Sequence, residues 1–169
     1  MKIYVACLAA YNNGIMHGSW IEPNSDLDEL SAAVAKILES SPTEGAEEYA
    51  IHDYDGFPNL GEYPSLQAVC DFVSMVESSD FDADVVSAVV DEFSSDISTA
   101  QHVLNDNHGI HDSFQDYADE LADEMMGCHN CGDGEWIKEY FDYGKHADAL
   151  SYDCIRIDVK GGVLIAPNQ

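Results

Sequence analysis

The residues best suited by type and spacing to chemistry are Cys128 and Cys131, a Cys-x-x-Cys pair in the run Cys128-His129-Asn130-Cys131. Such a pair can hold half of a zinc site or cycle between dithiol and disulfide. A structural zinc site needs four ligands, and His102, His108 and His111 do not supply a second pair at finger-like spacing. A redox role needs a βαβ setting that this sequence does not spell. Asp53-x-Asp55-Gly56 is a fragment of a calcium loop without the further acids or the closing Glu. Nucleophile elbows, phosphate-cradling glycine loops and His-Glu-x-x-His are all missing. The sequence therefore nominates no catalytic residue, no metal ligand and no cofactor, and Cys128 and Cys131 read as free thiols in a glycine-flanked loop.

Carboxylates are the other chemistry on offer. Thirty-three Asp and Glu face six Lys and Arg, for a formal net charge of −27 on 169 residues. Between Lys36 and Lys138 there is no Lys or Arg, while 24 acids fall in that stretch. Soluble surfaces ordinarily mix both signs, because a one-sign field strains the compact state through self-repulsion. The field repels nucleic acid and anionic membrane and attracts basic protein surfaces.

Geometry sharpens the point. A helix is predicted from Asp112 to Met126, and at about 100° per residue Asp112, Asp116, Asp119, Glu120 and Asp123 fall on one face, with Glu124 at its edge. Phe114, Tyr117, Ala118, Leu121 and Met125 fall opposite. Six acids over about 18 Å give roughly one charge every 3 Å, close to the roughly 3.4 Å spacing of phosphates along one DNA strand. Like charges at i,i+4 destabilise a helix, and further acids follow the same pattern upstream at Asp71, Glu77, Asp80, Asp82, Asp84, Asp91, Glu92 and Asp96. The ordinary interpretation is a solvated acidic surface; the sharper one is an electrostatic decoy for DNA.

The elements that must carry these groups form an α+β chain without βαβ alternation or internal repeats. Apolar residues make up 46% of the chain, with nine Tyr and six Phe, enough for a packed core and unlike a disordered acidic tail. Residues 1–60 predict a small sheet plus helix: a strand Ile3–Cys7, a turn at Asn12-Asn13-Gly14, a returning strand to Ile21, and a helix capped by Asp26 with Glu29 three residues on. Its stripe is Leu30, Ala33, Val34, Ile37 and Leu38, and a third strand at Tyr49-Ala50-Ile51 leads to a turn from Asp53 to Pro58. Residues 61–107 predict helices around Leu66–Val76, around Val85–Phe93 after a cap at Asp82, and over Ile97–Leu104. Residues 108–169 add the acidic helix, a short helix over Trp136–Tyr143, and a hairpin of Cys154–Val159 and Val163–Ala166 turning at Lys160-Gly161-Gly162. No apolar run approaches a membrane span. The scattered cysteines at 7, 70, 128, 131 and 154, with no export pattern, predict a cytoplasmic protein with reduced thiols.

Three segments resemble the ArdA antirestriction family. Ile3-Tyr4-Val5-Ala6-Cys7-Leu8-Ala9-Ala10-Tyr11-Asn12-Asn13-Gly14 with Gly18-Ser19-Trp20 resembles the family's opening; Glu47-Glu48-Tyr49-Ala50-Ile51-His52-Asp53-Tyr54-Asp55-Gly56-Phe57 resembles its most distinctive motif; Tyr140-Phe141-Asp142-Tyr143 resembles its Tyr-x-Asp-Tyr. They stand in family order over nearly the whole chain. The resemblance implies an elongated protein of three small domains in a row, a homodimer through its C-terminal region. Its surface carboxylates would imitate DNA and inhibit type I restriction–modification enzymes, protecting incoming mobile DNA without catalysis. After the last motif, Lys145-His146-Ala147-Asp148-Ala149-Leu150 stands where the family usually has an Arg-Asp pair. Tyr49, Ile51 and Trp20 are expected in the core, and Asp53 to Gly56 in a turn. The competing expectations are an acidic inhibitor or chaperone of some other DNA-binding protein, and a metal-binding protein using Cys128 and Cys131.

Overall fold

The computed structural model describes residues 1–94, 96–127 and 135–168, with 135–137 described as backbone. It is an α+β fold that divides into two compact units, Met1–Gln101 and His102–Gln169. The pair Cys128 and Cys131 lies outside the described residues.

In the first unit, strand β1 (Lys2–Cys7) runs between β2 (Gly18–Ile21) and β3 (Tyr49–Asp55), antiparallel to both. Ile3, Val5 and Cys7 are fully buried, as their alternation predicts. Between the first strand and the expected turn stands a short helix not read from the sequence, α1 (Leu8–Asn12), and the turn follows with Gly14 at φ 75°. Helix α2 (Leu27–Glu39) starts where its cap predicts. Asp26 Oδ1 accepts from the N–H groups of Asp28 and Glu29 at 2.9 and 3.1 Å, and Leu30, Val34 and Ile37 face inward. Glu29 does not close a capping box. Its carboxylate accepts from Asn24 Nδ2 at 2.6 Å, and Asn24 Oδ1 takes the Asp26 N–H instead.

Strand β3 corrects the sequence reading twice. It continues through Asp55, so Asp53, Tyr54 and Asp55 belong to the sheet and the turn comes at Gly56, φ 73°. Pairing with β1 supplies partners for residues whose own preference is for turns. Its register also slips: Tyr4 faces Asp53 while Val5 faces Ile51, leaving His52 as the extra residue of a β-bulge.

Helices α3 (Leu66–Ser78), α4 (Ala83–Glu92) and α5 (Ile97–Asn105) follow in the expected places, and the division between the units falls within α5. Ser65 Oγ caps α3 through Ala68 N–H at 3.1 Å. Asp82 holds the cap position of α4 without a side-chain capping bond. The apolar faces meet: Val69, Phe72, Val73 and Met75 of α3 and Val85, Val86, Val89 and Val90 of α4 are buried, and Phe72 lies 5.1 Å from the Phe57 ring. Fully burying one such side chain contributes about 1.5–3 kcal/mol.

The second unit is a sheet in the order β4-β6-β5, formed by β4 (Ile110–His111), β5 (Cys154–Val159) and β6 (Gly162–Pro167), with helices α6 (Phe114–Gly127), α7 (Glu135–Tyr140) and α8 (Tyr143–Leu150). The hairpin matches expectation; β4 and α8 do not follow from sequence pattern. Tyr117, Cys154 and Ile165 form its core, with Phe114, Leu121, Leu150 and Val163 packed around them, and Arg156 sits 4.9 Å above the Phe114 ring. Helix α6 begins at Phe114, because Ser113 caps it: its Oγ accepts the Asp116 N–H at 3.1 Å and donates to the Asp116 carboxylate at 2.6 Å. Asp112 therefore precedes the helix.

Gly162 is where β4 comes closest. At φ 146° a Cβ there would stand 2.1 Å from the His111 carbonyl oxygen, whereas Gly161, φ 100°, has open space around it. Gly162→Ala is expected to cost several-fold more stability than Gly161→Ala, which carries only its backbone strain of about 1–3 kcal/mol. Chemical unfolding of both variants checks this.

Candidate functional site: an acidic surface and its internal ties

Helix α6 carries Asp116, Asp119, Glu120, Asp123 and Glu124. With Asp112 outside the helix, the regular row shortens to five acids over about 12 Å, still roughly one charge every 3 Å. Asp116, Glu120 and Glu124 are exposed and stand four residues apart on one ridge, while Asp119 and Asp123 are half-buried beside it. Asp119 accepts from Gln115 Nε2 at 2.7 Å, and Glu120 lies 3.3 Å from His111 Nδ1.

Asp123 is different in kind. Lys138 Nζ reaches its Oδ2 at 2.5 Å, and Tyr143 Oη donates to its Oδ1 at 2.6 Å. No Lys or Arg stands within the row in sequence, but Lys138 comes to α6 through the tertiary fold. The two hydrogen bonds, Lys138's the stronger, hold the Asp123 carboxyl below its ordinary range; the same bond pushes the Tyr143 phenol up to about 12.

In the first unit Asp71, Glu77, Asp80, Asp82, Asp84, Asp91, Glu92 and Asp96 are all exposed. Several also hold hydrogen bonds within the unit. Asp71 accepts from Gln67 Nε2 at 2.7 Å, and Asp91 accepts the Asn59 N–H at 3.1 Å. Asp96 caps α5 through Ser98 and Thr99, and the Thr99 hydroxyl bond lowers its pKa. These surfaces can pair with cations and repel polyanions.

The motif residues divide between scaffold and surface. Ile51 is 2% exposed and Tyr49 half-buried, but Trp20 is 45% exposed, against expectation, with its ring edge-on to Tyr4 at 5.5 Å. Gly18 serves that contact, since a Cβ there would stand 2.9 Å from the Tyr4 ring and 2.5 Å from the Val5 carbonyl oxygen. Glu47 and Glu48 are exposed ahead of β3. Asp53 Oδ1 accepts from Tyr54 N–H at 2.9 Å, and Tyr54 Oη donates to the Gly61 carbonyl at 2.6 Å. Tyr140 is 78% exposed. Asp142 caps α8 through the Lys145 N–H and pairs with Lys145 Nζ at 2.9 Å, so the segment from Lys145 on is tied to the motif itself.

Sequence reasoning overlooked a groove of about 590 Å³ in the first unit, where Tyr11, His52, Asp53, Tyr54 and Glu62 come together. The bulge at His52 that shapes it has no sequence signature. Among the described residues, no three His, Cys, Asp or Glu form a metal-holding group, and no helix is long and apolar enough to cross a membrane.

The Asp123 ties yield a direct check. Asp123→Asn is expected to bring the Tyr143 titration down from about 12 toward the ordinary phenol value of 10. NMR of ring-labelled tyrosine reads it, and an unmoved midpoint would mean the bond does not form.

No curated protein matches this chain. The family model described as antirestriction protein (ArdA) matches residues 3–164 of 169, from the first residues of β1 into β6. The chain belongs to the ArdA family of antirestriction proteins.

Proposed function

We propose that this antirestriction protein works as a stand-in for duplex DNA, entering the basic groove of a type I restriction–modification enzyme and excluding DNA from it. It acts stoichiometrically, without turnover, in the cytoplasm and as a homodimer. The expected series of three modules, 1–60, 61–107 and 108–169, belongs to the same proposal. The observation that carries it is the exposed ridge of Asp116, Glu120 and Glu124 on α6, set in a chain of net charge −27, its charges about 6 Å apart, near the axial rise of every second phosphate along one DNA strand. By charge alone, one chain equals about 13 base pairs of duplex at two phosphates per pair. Asp112 and Asp119 extend the same field, and the exposed acids on and around α3 and α4 give the first unit a field of the same sign. Asp123, Asp96 and Asp142 serve chiefly to hold elements together.

Such a surface acts by summing many weak contacts, each exposed pair altering affinity by less than about fivefold. Single amide replacements on α6 are therefore expected to change inhibition little. Asp116→Asn, Glu120→Gln and Glu124→Gln together are expected to weaken inhibition of a type I enzyme by about tenfold to a hundredfold. The same number of neutralisations at Glu22, Glu39 and Glu44 is the control for net charge. Equal losses in both sets, measured as DNA cleavage against inhibitor concentration, would reject α6 as the contact surface. Equal potency against unrelated DNA-binding proteins would assign the chain to the broader class of acidic inhibitors.

A further inference from the structure

We propose that the groove on the first unit is a socket for an arginine side chain of the protein this chain inhibits. The proposal rests on the reading above, that the partner's surface is one built to grip DNA. The socket is a built one. The bulge at His52 breaks the alternation of β3, so that His52, Asp53 and Tyr54 all line the groove. Its far wall is pinned by two bonds, from Ile51 N–H to the Glu62 carbonyl at 3.0 Å and from Tyr54 Oη to the Gly61 carbonyl at 2.6 Å. Tyr11 meets His52 edge-on at 5.0 Å, and Phe57 is buried beneath.

The lining combines aromatic faces with two carboxylates, Asp53 and Glu62, and includes no Lys or Arg. The nearest cationic candidate, His52, stands 3.9 Å from Glu62. Charge complementarity thus selects a cation. Aromatic walls beside carboxylates suit a guanidinium better than an ammonium, because the guanidinium is planar, weakly hydrated and able to stack while it donates to an acid. A groove of about 590 Å³ has room for the whole side chain. Proteins that grip phosphates present arginines for the same reason. The groove adds to the diffuse acidic surface a point that selects one side chain.

The test is an NMR titration of the full chain with N-acetyl-arginine amide, with the lysine and citrulline analogues alongside. Saturable shifts confined to Tyr11, His52, Asp53, Tyr54 and Glu62 are expected with arginine, at least about fivefold weaker binding with lysine, and none with citrulline. The double variant Asp53→Asn, Glu62→Gln is expected to lose the response, and Tyr11→Ala to weaken it should the double variant fail to fold. Equal response to lysine, or shifts spread along α4 and α6 with one midpoint, would overturn the socket. Inhibition of a type I enzyme undiminished in a variant that no longer binds arginine would overturn it while leaving the inhibitor reading intact. A groove that binds arginine in a chain that inhibits no such enzyme would support the socket and reject the inhibitor reading.

Discussion

Mutual repulsion among carboxylates is the constraint to which the rest of this structure answers. With a net charge of −27, folding brings acidic elements such as α3, α4 and α6 into a field of one sign. The opposing attraction comes from apolar faces: valines on α4 against Phe72, Val73 and Met75 on α3, and Tyr117, Cys154 and Ile165 in the second unit. These faces are buried, so the acids stand on a scaffold instead of unfolding it.

Within that balance the acids are not equivalent. Some are spent locally, where a helix N-terminus or a rare cation absorbs the charge: Asp26 on α2, Asp96 on α5, Asp142 on α8, and Asp123 between Lys138 and Tyr143. Asp116, Glu120 and Glu124 face outward on one ridge of α6, which carries no Lys or Arg of its own, although Asp116 accepts from the Ser113 hydroxyl and Glu120 lies beside His111. Four of the six cations serve the scaffold: Lys2 with Glu22, Lys138 with Asp123, Lys145 with Asp142 and Arg156 over Phe114.

Much of this was legible in the chain because it is local. The α2 cap, the stripes of α3 and α4 and the final hairpin each rest on contacts a few residues apart. What escaped is tertiary. The two residues of β4 become a strand only because β6 lies beside them, and α8 buries little besides Ala147, too faint a stripe to read. Asp53 to Asp55, with turn-forming side chains, are drawn into the sheet by β1. The carboxylates of the candidate surface were visible as a list, but sorting them needed the fold: nothing near Asp123 in sequence announces Lys138, fifteen residues on, or Tyr143, twenty on. The groove was hidden for the same reason, since Tyr11, the bulge at His52 and Glu62 meet only once β1 and β3 pair.

The central claim is that these outward carboxylates occupy the place of phosphates. It is tested most directly by displacement of a labelled duplex from a type I restriction–modification enzyme at low and at physiological ionic strength. The account predicts mutually exclusive, stoichiometric displacement whose affinity weakens with salt about as steeply as that of DNA itself. A ternary complex in which the duplex stays bound, or displacement indifferent to salt, would contradict it.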